Sequence, residues 1–181
     1  NISESAVKAT IQQAKSKGKK YFIVICNMMT TMFGSVDNIE AYTNPLTEFA
    51  CEFKLHIDGA YGGFYYPFTD AESRLTFKNK NISSFTLDAH KMAQAPYGTG
   101  IFLIRKGLIQ NVNTQEASYV EGEDFTLIGS RSGANAIAVW MILVKNGPFG
   151  WQEKIFILQK RTEWMCKQLA ALNIEFYRHD M

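Results

Sequence analysis

Two short apolar runs about thirty residues apart, each closing on a cluster of polar residues, constrain this chain more than anything else in it. Leu55 and Ile57 lead into Asp58-Gly59-Ala60, and Phe85 and Leu87 lead into Asp88-Ala89-His90-Lys91. A third run, Tyr21 to Cys26, is apolar throughout and rich in β-branched residues, which predicts a buried parallel strand. Segments too short for helices, separated by enough chain for crossovers, predict an α/β fold with a largely parallel sheet. In such sheets ligands bind beyond the carboxyl ends of the strands. Asp58, His90 and Lys91 are expected at those ends.

The intervening chain supports this reading. Ser3 or Ser5 can cap a helix running to about Lys17, with Gly18 ending it. Asp37 is placed to cap a second helix, which Pro45 is expected to break in two. A short helix is expected between Asp70 and Phe77. Gly100 to Arg105 forms a further apolar run, too close behind Lys91 for a helical crossover, so it is expected to run antiparallel and make the sheet mixed. Ala134 to Val144 is apolar nearly all round, which predicts a helix buried on several sides, a partner subunit among them. Gly147-Pro148 should stop it, a long amphipathic helix should then run to about Leu172, and Ile174 to Tyr177 should form a last short strand.

Composition narrows the function. The chain has 181 residues, of which 46% are hydrophobic, enough for a sizeable core. A net charge of +2 with interspersed signs gives no push toward nucleic acid or a membrane surface. No apolar run approaches the roughly 18 residues of a membrane span. The 3 cysteines are too scattered for a disulfide framework or a metal site, which suits a reducing, cytoplasmic setting.

A carboxylate at one strand tip and a lysine at the next can bracket a flat, charged ring. Pyridoxal phosphate needs that pair: an amine to hold its aldehyde as a Schiff base and an acid to keep its ring nitrogen protonated. The segments around them, Leu55 to Gly63 and Thr86 to Gly100, resemble the Asp-x-Ala and lysine motifs of the pyridoxal-phosphate-dependent group II amino-acid decarboxylases. Thr30-Thr31-Met32-Phe33-Gly34-Ser35-Val36-Asp37-Asn38-Ile39 upstream and Gly129-Ser130-Arg131-Ser132-Gly133-Ala134-Asn135 downstream resemble two further motifs of that family, in the same order.

The resemblance implies a specific architecture. Residues 1–147 would be the C-terminal part of the large domain of a fold-type I enzyme, mostly parallel with one antiparallel strand. Residues 148–181 would be a linker helix and the start of a small C-terminal domain. It also implies roles. Lys91 would bond the aldehyde, Asp58 would face the ring nitrogen, and Ala60 would lie against the ring. His90 would reach the phosphate. Thr31 would lie near the ring's 3'-oxygen, or else be an ordinary loop hydroxyl. Ser130 would reach the phosphate in the opposite subunit of a homodimer, giving a shared site, and Arg131 would hold the loop or an anionic group. Asp88 stands near the phosphate, which a carboxylate would repel, so backbone donors or His90 are its expected partners. His56, inside its strand, is expected to be a core residue or a support behind the site.

Met29 departs from the family, which commonly has glycine before the paired threonines. The family's phosphate-cradling segment and ring-stacking histidine have no counterpart before Tyr21. By that resemblance the chain is a fragment, inactive alone, of a lyase acting on a small-molecule amino acid. Glutamate, tyrosine, aromatic amino acids and diaminobutyrate are all open as substrates, with a slight lean to the tyrosine- and glutamate-like bacterial and archaeal branch. A carbon–carbon lyase, an aminotransferase-like enzyme and a non-catalytic assembly partner are the alternatives.

Overall fold

The computed structural model describes residues 2–69, 73–112 and 131–178. Four strands form a single sheet in the order β1-β2-β3-β4: β1 (Tyr21–Asn27), β2 (Glu52–Gly59), β3 (Ile82–Asp88) and β4 (Gly100–Ile104). The first three are parallel and β4 is antiparallel to β3. This is the mixed sheet the sequence predicts, and it matches a part of the fold-type I large domain.

Helix α1 (Glu4–Ser16) starts where Ser3, in an extended conformation, accepts a hydrogen bond from the Ala6 amide. Glu4 in its first turn and Lys15 in its last complement the helix dipole. It lies outside the sheet with only Ile11 buried, tied to α2 (Glu40–Glu48) by Lys8–Glu48 at 2.7 Å and by Lys15 Nζ donating to the Phe49 carbonyl at 2.8 Å.

Helix α2 corrects two expectations. Asp37 does not cap it; its Oδ2 accepts from the backbone amide and the side-chain amide of Asn27 at 2.8 and 2.9 Å, pinning the end of β1. Pro45 does not break it either. Pro45 is fully buried beside Leu46 in a helix of 9 residues, so little helix lies beyond the missing N–H, and burial offsets the loss.

The core lies on one face of the sheet. Cys26, Leu55, Ile57, Ile82 and Phe85 are enclosed there with Met28, Ile39 and Leu75, and each fully buried aliphatic side chain contributes about 2 kcal/mol. Burial pushes the Cys26 thiol up to about 12, so it stays protonated as a small apolar residue.

The other face differs from expectation. Ile23 and Ile25 on β1 are 82% and 59% exposed, so the described residues cover β1 on one side only.

The third helix, α3 (Gly133–Ala171), spans 39 residues and is interrupted at Gly147, whose φ of 59° and ψ of 179° leave the helical range. The predicted stop is therefore a kink between two helical segments. Ser132 caps the first by accepting from Asn135. Val139, Ile142 and Trp151 pack against Ala89, Ala93 and Ala95 behind the end of β3. Trp140, expected to be buried, is 62% exposed, as are Ile137, Met141 and Val144 for more than half of their surface. A helix apolar all round needs cover on every side, and the described residues supply it on one. Ile174 to Tyr177 forms no strand and pairs with none among the described residues. Tyr177 instead meets Phe33 edge-on at 5.6 Å. Between β2 and β3 the described residues form short 3-10 turns, Ser73–Leu75 among them, where a helix is expected. No helix among the described residues is long and apolar enough to cross a membrane.

Candidate functional site

Alternation along a strand sends Leu55 and Ile57 into the core and His56 and Asp58 to the opposite face. On β3 the core residues are Ile82 and Phe85, three apart, which strict alternation forbids. A register shift resolves this: Leu55 pairs with Ile82 but His56 pairs with Ser84, leaving Ser83 as an extra residue. Beyond the shift, Ser84, Thr86 and Asp88 face the same way as His56 and Asp58. Asp58 and Asp88, at the ends of the two strands, thus share one face.

The loop after β2 ties the tips together. Asp58 Oδ1 accepts from the Ala60 amide at 3.1 Å, and the Ala60 carbonyl accepts from the Asp88 amide at 3.3 Å. The Asp58 carbonyl accepts from Met28 at 2.8 Å, joining the tip of β1. Gly62 and Gly63 make this crossing possible, since a Cβ on Gly62 would strike the Met28 carbonyl and one on Gly63 would strike the Leu87 side chain. Met29 takes φ 68°, the left-handed conformation that glycine adopts without strain. The departure at this position changes the residue and keeps the turn.

Lys91 lies in the turn after β3, one third exposed, with its ammonium 2.9 Å from Asp88 Oδ2. Asp88 is 19% exposed, and its partner is thus the lysine ammonium. His90 Nε2 lies 3.9 Å from the same oxygen, and the His90 ring leans on Tyr97 at 5.1 Å. His90 Nδ1 is buried with no hydrogen-bond partner. A buried polar nitrogen without a partner costs about 1–3 kcal/mol unless something outside the chain satisfies it. No donor among the described residues reaches Asp58 Oδ2. An amine and an orphan ring nitrogen thus follow the end of β3, and a carboxylate ends the neighbouring β2. That donor set fits pyridoxal phosphate, with its aldehyde, ring nitrogen and phosphate.

Other expected residues stand further off. Thr31 sits in an exposed turn beyond β1, while Thr30 organises that loop through hydrogen bonds with Ser35. Ala60 is half-buried beside Asp58. Arg131 is exposed ahead of α3, and Ser130 lies outside the described residues.

Sequence reasoning did not find the partners of His56. Its Nδ1 is hydrogen-bonded to Ser84 Oγ at 2.8 Å and its Nε2 to Thr86 Oγ1 at 3.1 Å, with the ring stacked on Phe102 at 6.1 Å. Burial lowers its pKa, against an opposing pull from the Asp58 carboxylate. The two-residue spacing to Asp58 was the available signal; the register shift that supplies both hydroxyls was not legible.

The chain is 55% identical over 179 residues to a tryptophan decarboxylase of Clostridium sporogenes, an alignment covering 99% of this chain and 43% of that protein. It is 28% identical over 160 residues to a histidine decarboxylase of Vibrio campbellii, covering 87% of this chain and 41% of that one. It therefore spans less than half the length of these relatives. Among solved structures, an L-methionine decarboxylase from Streptomyces superposes with a TM-score of 0.75 at 20% identity, over 94% of this chain and 42% of that one. A Lactobacillus brevis glutamate decarboxylase gives 0.72 at 17% identity, over 93% and 52%. At such identities the superpositions speak for the fold alone. The model of the pyridoxal-dependent decarboxylase conserved domain matches residues 1–177, and with the strand tips arranged as described, the chain belongs to the pyridoxal-dependent decarboxylase family.

Proposed function

We propose that the protein carrying this chain removes the carboxyl group of an aromatic L-amino acid, tryptophan foremost, with pyridoxal phosphate as cofactor. The observation that carries this reading is that Asp58 ends β2 while Lys91 and the unpartnered His90 Nδ1 lie just past the end of the neighbouring β3. The preference for an aromatic substrate rests on the 55% identity to a tryptophan decarboxylase and replaces the slight lean to the tyrosine- and glutamate-like branch.

Lys91 is the residue that would bond the aldehyde carbon. Its ammonium must first lose a proton, and Asp88 holds the side chain at the tip until then. Asp58 would keep a proton on the ring nitrogen through its free Oδ2. Ala60, tied to Asp58 and small, leaves room for a flat ring above it. His90 Nδ1 would donate to the phosphate, with Tyr97 steadying the ring. Thr31 and Ser130 keep the resemblance-based roles, near the 3'-oxygen and at the phosphate across the dimer. When bound, pyridoxal phosphate supplies a conjugated ring that takes up the electron pair left by departing carbon dioxide.

A homodimer belongs to the same proposal. The exposed stripe of Ile137, Trp140, Met141 and Val144 is apolar enough to need a covering surface. The kink at Gly147 is where residues 148–181 would turn away toward a small domain.

The test is made on the full-length protein supplied with pyridoxal phosphate. Borohydride reduction followed by peptide mapping should place the label on Lys91. Incubation with tryptophan, tyrosine, phenylalanine, glutamate, histidine and aspartate should release carbon dioxide and an amine, fastest from tryptophan. Formation of a keto acid would make it an aminotransferase, and an aldehyde a carbon–carbon lyase; either overturns the reading.

A further inference from the structure

The histidine two residues before Asp58 has both ring nitrogens engaged by hydroxyls of the next strand. Ser84 and Thr86, two positions apart, lie on the same face of β3: Ser84 is registered opposite His56 and Thr86 opposite Asp58, and the imidazole reaches both hydroxyls. A neutral imidazole has one donor and one acceptor nitrogen, so one hydroxyl gives a proton and the other receives one. Phe102 of β4 stacks on the ring, so three strands meet there.

The register shift gives this contact its consequence. Ser83 is the extra residue; its Oγ accepts from the Leu55 amide and its carbonyl accepts from the Arg105 amide at 3.0 Å. Arg105 also donates to the carbonyls of Ile82, Phe77 and Asn79, holding the chain just before the shift. Were the shift to slip by one residue, Asp88 would turn to the core face and Asp58 would lose its neighbour. On the polar face the first pairs beyond the shift are His56 with Ser84 and Asp58 with Thr86.

We propose that His56 is a positioning residue for the cofactor site: bridging Ser84 and Thr86, it locks β2 against β3 immediately before Asp58 and Asp88, and so sets the separation of the Asp58 carboxylate from the Lys91 amine. The proposal rests on the functional reading above and adds a residue to it. His56 touches neither cofactor nor substrate; it acts through the two tips.

The experiment uses the full-length protein and four variants. His56→Phe keeps a ring against Phe102 and deletes both hydrogen bonds. His56→Asn places an amide where Nδ1 stands and recovers the bond to Ser84. Pyridoxal phosphate affinity should fall about tenfold or more in His56→Phe, with a displaced visible absorbance maximum, and return most of the way in His56→Asn. Without cofactor, hydrogen exchange at the Ala60 and Asp88 amides should quicken in His56→Phe while the Leu55 amide keeps its protection. Should His56→Phe not fold, the paired change Ser84→Ala with Thr86→Val removes the same bonds and should give the same losses. Unchanged affinity and absorbance in a folded variant, even one with a lower melting temperature, would overturn the proposal and leave the decarboxylase reading intact. Absence of any Lys91 label in the unaltered protein, matched by a Lys91→Ala control, would overturn that reading and this proposal with it.

Discussion

From β2, Leu55 and Ile57 point into the core and are fully enclosed, while His56 and Asp58 point the other way and remain half-buried. The two faces of one strand do different work. The enclosed face is apolar, continuous across β1, β2 and β3, and supplies the burial that holds the sheet together. The opposite face carries polar groups near the tips of β2 and β3, and exposed apolar side chains on β1 at Tyr21, Ile23 and Ile25. Fold and chemistry are thus separated by the two-residue period of the strand, and a single register shift keeps them separated across β3.

The comparison breaks most severely at the site. On the proposed function, Lys91→Ala in the full-length protein should abolish borohydride labelling and reduce decarboxylation of tryptophan by at least about a thousandfold, with folding unchanged by circular dichroism. Asp58→Asn should follow, lowering turnover by about a hundredfold or more while Lys91 remains labelled, since the proposal makes Asp58 the anionic partner of the ring nitrogen. On the enclosed face the expected loss is one of stability. Ile57→Ala should cost about 3 kcal/mol in denaturant unfolding, since it leaves a cavity among Leu55, Ile82 and Phe85.

Acid sharpens the contrast. His56 is held below its ordinary value of 6.5 mainly by burial, so the folded protein keeps it neutral where the unfolded chain binds a proton. Its contribution is complete above that value. It is lost progressively as pH falls below 6.5, until the folded ring protonates as well. Unfolding measured between neutrality and mild acid should show this slope, and His56→Asn should flatten it. The smallest effect belongs to the loop beside the tips: Met29→Gly should stabilise by about 1 kcal/mol, read from the melting temperature, because it relieves a non-glycine φ of 68°.

Much of this was legible before any coordinates. Asp58 near the end of β2 and His90 and Lys91 just past β3 stand where expected, because short apolar runs ending in polar residues are a local signal. The antiparallel β4 was found because the chain between it and Lys91 is too short for a crossover. Errors fell where distant parts of the chain decide. Asp37 looked like a helix cap, but Asn27 claimed its carboxylate. Pro45 looked like a break, but core burial retained the helix. The Ala134–Val144 segment looked buried, yet much of it is exposed in this chain.

By itself the sequence determined the alternation of strands and helices, the identity of the chemical groups at the tips, and the family to which their order belongs. These follow from local periodicity and side-chain chemistry, which the chain carries wherever it folds. Only the tertiary structure decided that Asp58 and Asp88 share a face, that Asp88 holds Lys91, and that His56 spans two hydroxyls of its neighbour. Each of those depends on how one strand is registered against another, and register is fixed by contacts between residues about thirty positions apart rather than by either segment alone.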